Sequence, residues 1–259
     1  MGNYYFVGTL LPDLHIDEKP EIGFAEFDRL LYDNLSVGDY KKAIVFRAYY
    51  DILNIRSYWK GEAFDPAGNL DPVAMEEALI TRSVFPSYVF EFIDKYENNE
   101  ERIRHFPLLL ATFFHNEILQ ARGIFKRFLV MERELRLILV AFRAKLLGRD
   151  VVKELQYEDP EDELVAQIIA QKDAAEYEPP EKYAETQALF KRYHDDPMAF
   201  QKAYYNYRFQ KINEMINIDS FSMDRLLAYM VKLIIVEKWL RLSKQKGLEI
   251  VDSMLKEPL

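Results

Sequence analysis

Apolar residues recur at helical spacing along most of the chain, and this pattern predicts an all-α fold. The spacing begins with four residues at i, i+3, i+6 and i+7: Phe24, Phe27, Leu30 and Leu31. Ser36 is a suitable cap for a second helix over 37–59, and Gly61 is a suitable residue to end it. Shorter helices are predicted over 72–79 and 86–96, each with proline at or near its first turn. Strand–helix alternation does not appear, so an α/β fold is not expected.

The amino-terminal segment before these helices is apolar and ends at Pro12. Its length and composition fit either a short strand or an apolar arm, and periodicity does not decide between them.

The centre of the chain predicts a long helical segment over 107–147, in which Gly123 is a position for a bend or an interruption. Six apolar residues keep a three–four spacing that is typical of a seam for another helix: Phe128, Met131, Leu135, Ile138, Phe142 and Leu146. Further helices are predicted over 161–175, 181–193, 197–216 and 220–243, with a short turn after Gly247. The stretch 230–236 is apolar nearly all round, so we expect it to lie at the centre of the fold.

Five basic residues form a separate arc on the predicted central helix. These residues, called the basic arc below, are Arg122, Lys126, Arg133, Arg136 and Arg143. The following segment, 154–185, holds eleven acidic residues against Lys172 and Lys182. The basic arc therefore fits three interpretations: pairing with this acidic segment, a binding face for an acidic protein partner, or contact with nucleic acid.

Composition narrows the class of protein. The chain has 259 residues, 49% of them hydrophobic, which is typical of a folded globular protein with a large core. A net charge of −9 argues against nucleic acid as a partner, and the absence of cysteine excludes disulfides and thiol chemistry. No secretory signal is recognisable, and the longest uncharged runs fall short of the roughly 20 residues of a membrane span. We therefore expect a cytoplasmic protein that meets a membrane only through its partners.

Candidate chemistry is sparse. None of the four histidines has a glutamate three residues before it, so the pattern of a helical di-iron site is missing. We interpret His115 as a structural or surface residue, and no phosphate-binding loop or nucleophile motif occurs. The run 204–209, YYNYRF, fits helix packing better than base stacking at this net charge. We expect no catalytic site, no metal and no cofactor.

A helix-ending pattern of an acid, apolar and basic residues and a glycine occurs three times. It runs over 51–61, 132–148 and 237–247. The pattern favours two or three similar helical modules, with boundaries placed at 1–80, 81–176 and 177–259.

Two segments resemble known families. Residues 50–61, YDILNIRSYWKG, resemble the helix-ending signature of the C-type central-stalk subunit of V/A-type ATPases, called the d-type subunit in eukaryotes; the matching positions are Asp51, Asn54, Arg56, Trp59 and Gly61. Residues 4–14, YYFVGTLLPDL, resemble the start of a domain-of-unknown-function family encoded in bacterial V-type ATPase operons. The C-type stalk protein is all-helical and funnel-like, lacks an active site and is built from three similar modules.

The resemblance implies a function in ion or proton transport. The chain would be a non-catalytic part of the central stalk, coupling the rotor shaft to the membrane ring that carries ions. Its partners would be other subunits of the ATPase, and it would be peripheral to the membrane. Two alternatives are a general helical scaffold or adaptor unrelated to the ATPase, and an enzyme whose helical active site uses Tyr, Glu and Arg.

Overall fold

Thirteen α-helices and one 3₁₀ turn make up the secondary structure of the described part of the chain, which contains no strand. The computed structural model describes residues 4–216 and 222–256, with side chains to residue 243. The helices of the first half are α1 (Tyr4–Leu10), α2 (Phe24–Asn34), α3 (Val37–Lys60), α4 (Pro72–Thr81), α5 (Ser87–Lys95), α6 (Asn99–Arg104) and α7 (Phe106–Gln120). Those of the second half are α8 (Gly123–Leu146), α9 (Val151–Glu154), α10 (Glu163–Ala170), α11 (Ala184–Tyr193), α12 (Pro197–Glu214) and α13 (Met223–Lys256), with the 3₁₀ turn at Glu181–Tyr183. The predicted all-α fold is confirmed.

The chain divides into two compact units. The first unit joins the two ends of the sequence, Met1–Ala43 and Lys191–Leu259, and the second unit is the continuous stretch Ile44–Phe190. The predicted boundaries of three modules, 1–80, 81–176 and 177–259, came from a repeated sequence pattern and not from contacts, and they stay a prediction.

The core of the first unit forms around α13. Its stretch from Met230 to Val236 is buried apart from Lys232, which confirms the central place predicted for it. Phe27 of α2 packs against Tyr229 of α13, with ring centroids 5.1 Å apart. Glu237 also caps α2, because its Oε1 accepts a hydrogen bond of 2.7 Å from the backbone N–H of Phe24.

Three helices of the first unit can be compared with the sequence prediction, which left α1 undecided, is right about α12 and ends α13 too early. The amino-terminal segment is neither a strand nor an extended arm: it forms α1, which buries Val7. In the run 204–209, Tyr207 and Arg208 are buried, in agreement with helix packing. Helix α13 continues through Gly247 to Lys256, so the predicted exit at this glycine is wrong. A glycine inside a helix costs about 1 kcal/mol relative to alanine, which a long helix tolerates.

The core of the second unit forms around α8. Five of the six seam residues are buried, whereas Leu146, in the last turn, is 51% exposed. The predicted segment over 107–147 is interrupted: α7 ends at Gln120 and α8 begins at Gly123, whose φ is +58°. Phe46 of α3 packs against Phe128 of α8 at 4.5 Å between centroids. Aromatic contacts between α3, α7 and α8 thus form much of this core.

Candidate functional site

The resembling segment 50–61, here called the signature segment, ends α3 in the predicted way. Gly61 has φ +66°, its N–H donates to the carbonyl of Tyr58, and the N–H of Glu62 donates to the carbonyl of Ser57. These two bonds satisfy carbonyls that the helix end would otherwise leave unpaired, and the left-handed residue between them favours glycine. Gly148, with φ +61°, ends α8 through the same pair of bonds. Two of the three predicted helix exits are therefore confirmed.

Asp51 of the signature segment is buried and binds the loop after α3. Its Oδ1 accepts hydrogen bonds from the backbone N–H groups of Asn69, at 2.7 Å, and Leu70, at 3.0 Å. Its Oδ2 accepts a third from the side-chain amide of Asn69 at 2.6 Å. Burial raises the pKa of Asp51, and the three hydrogen bonds and the nearby Arg47 act in the opposite direction.

Asn54 holds the same loop from the next turn of the helix. It pairs with the backbone of Asp65 in both directions: its Oδ1 accepts from the N–H at 2.8 Å, and its Nδ2 donates to the carbonyl at 2.9 Å. Arg47, one turn before Asp51, donates to the carbonyls of Ala67 and Gly68 at 3.0 and 2.6 Å. Together these side chains fix the loop against α3, so the acid and the amide of the signature segment have a structural role.

Trp59 and Arg56 differ in their surroundings. Trp59 is buried, stacks on Phe92 with centroids 5.9 Å apart, and has the guanidinium of Arg102 over its ring at 5.9 Å. Arg56 is exposed. Among the matching positions with long side chains, Arg56 is therefore the one that solvent or a partner reaches.

The structure separates the basic arc into two groups. Arg133 donates to Glu158 at 3.1 Å and to Asp162 at 2.8 Å, and Arg136 also pairs with Glu158. For these two arginines the interpretation as partners of the acidic segment is confirmed. Arg122, Lys126 and Arg143 are exposed, and the guanidinium of Arg122 donates to the carbonyls of Leu119 and Ala121.

One cavity brings together residues from both predicted sets. This arginine-lined cavity has a volume of about 520 Å³ and contains Arg56 of the signature segment and Arg136 of the basic arc. Its other lining side chains come from four parts of the second unit: Leu53, Ser57, Ile103, Arg104, Phe106, Pro107, Leu110, Leu137, Val140, Glu154, Leu155, Tyr157 and Glu158. Apolar walls with a few charged groups are typical of binding sites.

A second cavity shares Tyr157 and Glu158 with the first. It has a volume of about 750 Å³ and includes Arg133, His115 and three acids of the segment after α9: Asp159, Glu161 and Asp162. His115 is exposed there, in agreement with the predicted surface placement. Tyr157 lines both cavities, and its hydroxyl lies 2.7 Å from His105 Nδ1.

Sequence reasoning missed Arg104, Glu154 and Tyr157 as site residues, because α6 and α9 are too short to give a periodic signal and Tyr157 lies in the turn after α9. No group of three or more acidic or histidine side chains in the described part of the chain is arranged to hold a metal ion. Within the same residues, no helix has the length and apolar character of a membrane span.

Comparison of the sequence with known proteins places the chain in a family. The sequence profile described as "Protein of unknown function (DUF2764)" matches residues 1–258. The chain belongs to this family. Similar uncharacterized proteins occur in Chlamydia muridarum and Chlamydia pneumoniae, each 25% identical, and in Chlamydia trachomatis serovar D, 24% identical. Each of these alignments covers 99% of this chain and 98% of the relative. No solved structure matches the chain.

Proposed function

We propose that this member of the family is a non-catalytic component of a V/A-type ATPase that resembles its C-type stalk protein. It would couple the central rotor stalk to the membrane ring that carries ions, and it would be peripheral to the membrane through that complex. The observation that carries the proposal is the signature segment: Asp51 and Asn54 bind the following loop and Gly61 ends the helix, while Arg56 stays exposed.

The arginine-lined cavity supports a contact with another protein of the stalk. Arg56 offers positive charge at its wall, whereas Arg104 is paired with Glu100 and Arg136 with Glu158. Leu53, Leu110 and Val140 supply apolar surface beside them. The complementary occupant is a segment of the ATPase stalk with acidic and apolar side chains, because charge complementarity directs association and apolar anchors stabilise it.

Purification of the native ATPase with an intact stalk tests the proposal. We expect a tagged copy of this chain to be recovered together with the A and B subunits. The substitution Arg56→Glu is expected to reduce this recovery about tenfold, the effect of losing roughly 1.4 kcal/mol of binding free energy. Arg29→Glu is the matched control, because Arg29 is an exposed arginine of α2 outside the cavity.

Recovery of A and B subunits without this chain, from a complex whose stalk is intact, would contradict the proposal. If the tagged chain instead binds defined proteins but never these subunits, the alternative of a general helical scaffold is favoured. Equal recovery of the Arg56→Glu and Arg29→Glu variants would contradict only the role of the cavity.

A further inference from the structure

A small cavity in the first unit is lined by two cations. Its volume is about 240 Å³, and its wall includes Arg225, Tyr229 and Lys232 of α13 and Asn213 of α12. The segment 11–14, part of the resembling amino-terminal stretch, closes another side. The three residues of α13 are spaced at i, i+4 and i+7, so they share one face of the helix.

The two cations line the same cavity and are only weakly compensated. Lys232 Nζ donates to the neutral Asn213 Oδ1 at 2.9 Å and lies 5.1 Å from the Phe209 ring. Burial lowers the pKa of Lys232, the charge of Arg225 lowers it further, and Asp13 acts in the opposite direction. Arg225 is half-buried, and its guanidinium has no partner in the described part of the chain.

Asp13 is the acidic group on the cavity wall, and it does not neutralise the pair. It is exposed and forms no ion pair with either cation among the described residues. Two cations against one acid leave the lining with a net positive charge. Although the chain has a net charge of −9, this positively charged lining creates a local potential that attracts an anion.

The hydroxyl of Tyr229 provides an independent observation. The residue is 6% exposed, and its hydroxyl is buried without a hydrogen-bond partner in the described structure. Burial raises the pKa of this hydroxyl to about 12, with smaller contributions from Glu21 and Asp13, so it stays a donor at neutral pH. A buried polar group that lacks a partner costs about 1–3 kcal/mol, and a bound ligand is one way to satisfy it.

We propose that this cavity binds a small oxyanion of the size of phosphate. Arg225 and Lys232 would supply charge-assisted hydrogen bonds, and the hydroxyl of Tyr229 would donate a third. The volume is below the roughly 300 Å³ at which pockets for drug-sized ligands begin, which favours a small anion over a nucleotide. The ligand is either free phosphate or a phosphate group on a larger molecule. This site is independent of the proposed function in the ATPase.

Calorimetric titration of the full chain with sodium phosphate tests the site, with sodium chloride at equal ionic strength as the reference. We expect one phosphate to bind per chain, and the midpoint of thermal unfolding to rise with phosphate and not with chloride. Arg225→Met and Lys232→Met are each expected to weaken phosphate binding about tenfold or more, because each removes a charged donor.

Tyr229→Phe separates binding from folding. Because the hydroxyl is buried without a partner in the anion-free protein, removing it relieves that cost, so this substitution is expected to raise the unfolding midpoint without phosphate and to weaken phosphate binding. Arg29→Met is the matched control, since Arg29 lies in the same unit and its side chain is 84% exposed. It should bind phosphate like the wild type.

Absence of phosphate binding by the wild-type chain would overturn the proposal. So would equal weakening by Arg29→Met and Arg225→Met, which would indicate non-specific attraction. If Arg225→Met does not fold, unchanged phosphate binding by Tyr229→Phe and Lys232→Met would overturn it as well. A titration with phenyl phosphate distinguishes the two sources of the ligand: binding indicates that the site accepts a phosphate group on a larger molecule, and rejection indicates free phosphate.

Discussion

Gly68 lies where the side chains of Asp51 and Asn54 converge on the loop after α3. A Cβ at this position would be 2.7 Å from both Asp51 Oδ1 and Asn54 Nδ2. Neither atom can move away cheaply, because each is buried and holds hydrogen bonds to the loop. The close approach of the backbone therefore requires glycine here.

We predict that Gly68→Ala lowers the free energy of unfolding by about 2–3 kcal/mol, since overpacking typically costs 1–3 kcal/mol and two buried hydrogen bonds are disturbed as well. Urea denaturation followed by circular dichroism measures the effect. The control is Gly38→Ala in the first turns of α3, where the nearest atom to a new Cβ is 4.0 Å away. It is expected to stabilise by about 0.4–1 kcal/mol. Similar effects of the two substitutions would contradict the tight packing at Gly68.

The residues of the signature segment could be recognised from the sequence, but their partners could not. Asp51 binds Asn69 and Leu70, which lie 18 and 19 positions away in a loop without a periodic pattern. Arg104 reaches the cavity of Arg56 through a fold that places α6 beside α3. Contacts of this kind depend on tertiary structure, and spacing along the chain carries no signal for them.

The first turn of α3 is stabilised by side chains that are near in the sequence and by one from another helix. Ser36 Oγ accepts from the N–H of Asp39 at 3.2 Å and donates to Asp39 Oδ2 at 2.8 Å, a reciprocal cap. Lys42 Nζ donates to Asp39 Oδ1 at 2.8 Å, and the hydroxyl of Tyr4 in α1 also binds this carboxylate. Hydrogen bonds from Lys42, then Ser36 and Tyr4, lower the pKa of Asp39 from 3.8 to about 2.

We predict that this cap is lost in acid. The folded pKa of Asp39 is below the unfolded pKa, so its contribution to stability is present above about pH 4 and disappears as the pH falls toward 2. Asp39→Asn should lower the free energy of unfolding at pH 7 by about 1 kcal/mol or less, the range of helix caps at partly exposed sites. Denaturation curves of both proteins between pH 2 and 7 measure the difference, which should shrink to near zero at the acidic end.

Asp33→Asn serves as the comparison for this pH dependence. Asp33 is exposed and lies 3.7 Å from Arg29, a contact of little energetic value. Its substitution is expected to change stability by a few tenths of a kcal/mol at any pH. A difference between wild type and Asp39→Asn that stays constant down to pH 2 would show that the carboxylate is not the stabilising group.

At the scale of helices, the sequence predicts the helices whose apolar residues keep a regular helical spacing and whose ends carry a capping residue, proline or glycine. Helices α3, α4, α5 and α12 occur close to their predicted bounds, α2 begins at Phe24 as predicted, and the interruption at Gly123 is confirmed. The prediction left α1 undecided because seven residues are too few to give a period. It could not foresee the positive φ of Arg82 and Val84, since residues other than glycine rarely adopt it.

The whole molecule contains two tryptophans, one in each unit. Trp59 belongs to the second unit and Trp239 to the first, where its Nε1 donates to Asp17 Oδ1 at 3.2 Å. Both rings are buried. Tryptophan fluorescence therefore reports on each unit separately once the other tryptophan is replaced.

We predict that the second unit folds without the first, because its sequence is continuous and its core is internal. A fragment of residues 36–190, which keeps the Ser36 cap and contains Trp59 alone, should be helical by circular dichroism and unfold cooperatively in urea. Its emission should match that of full-length Trp239→Phe, since Trp59 is packed against Phe92 and Phe106. Emission like that of the urea-denatured chain would contradict the division into two units.

A fragment of residues 81–176 extends this test to the predicted module boundaries. It lacks α3, whose Phe46 and Tyr49 contact Phe128 and Phe113 at 4.5 and 5.8 Å between centroids. Removing a buried aromatic side chain from a core typically costs about 3 kcal/mol or more. Losing both therefore removes a large part of the roughly 5–15 kcal/mol by which a folded domain is stable against unfolding. We therefore expect this fragment to lack cooperative unfolding, whereas the three-module boundaries predict that it folds. Cooperative unfolding of 81–176 together with failure of 36–190 would favour modules defined by the repeated sequence pattern over units defined by contacts.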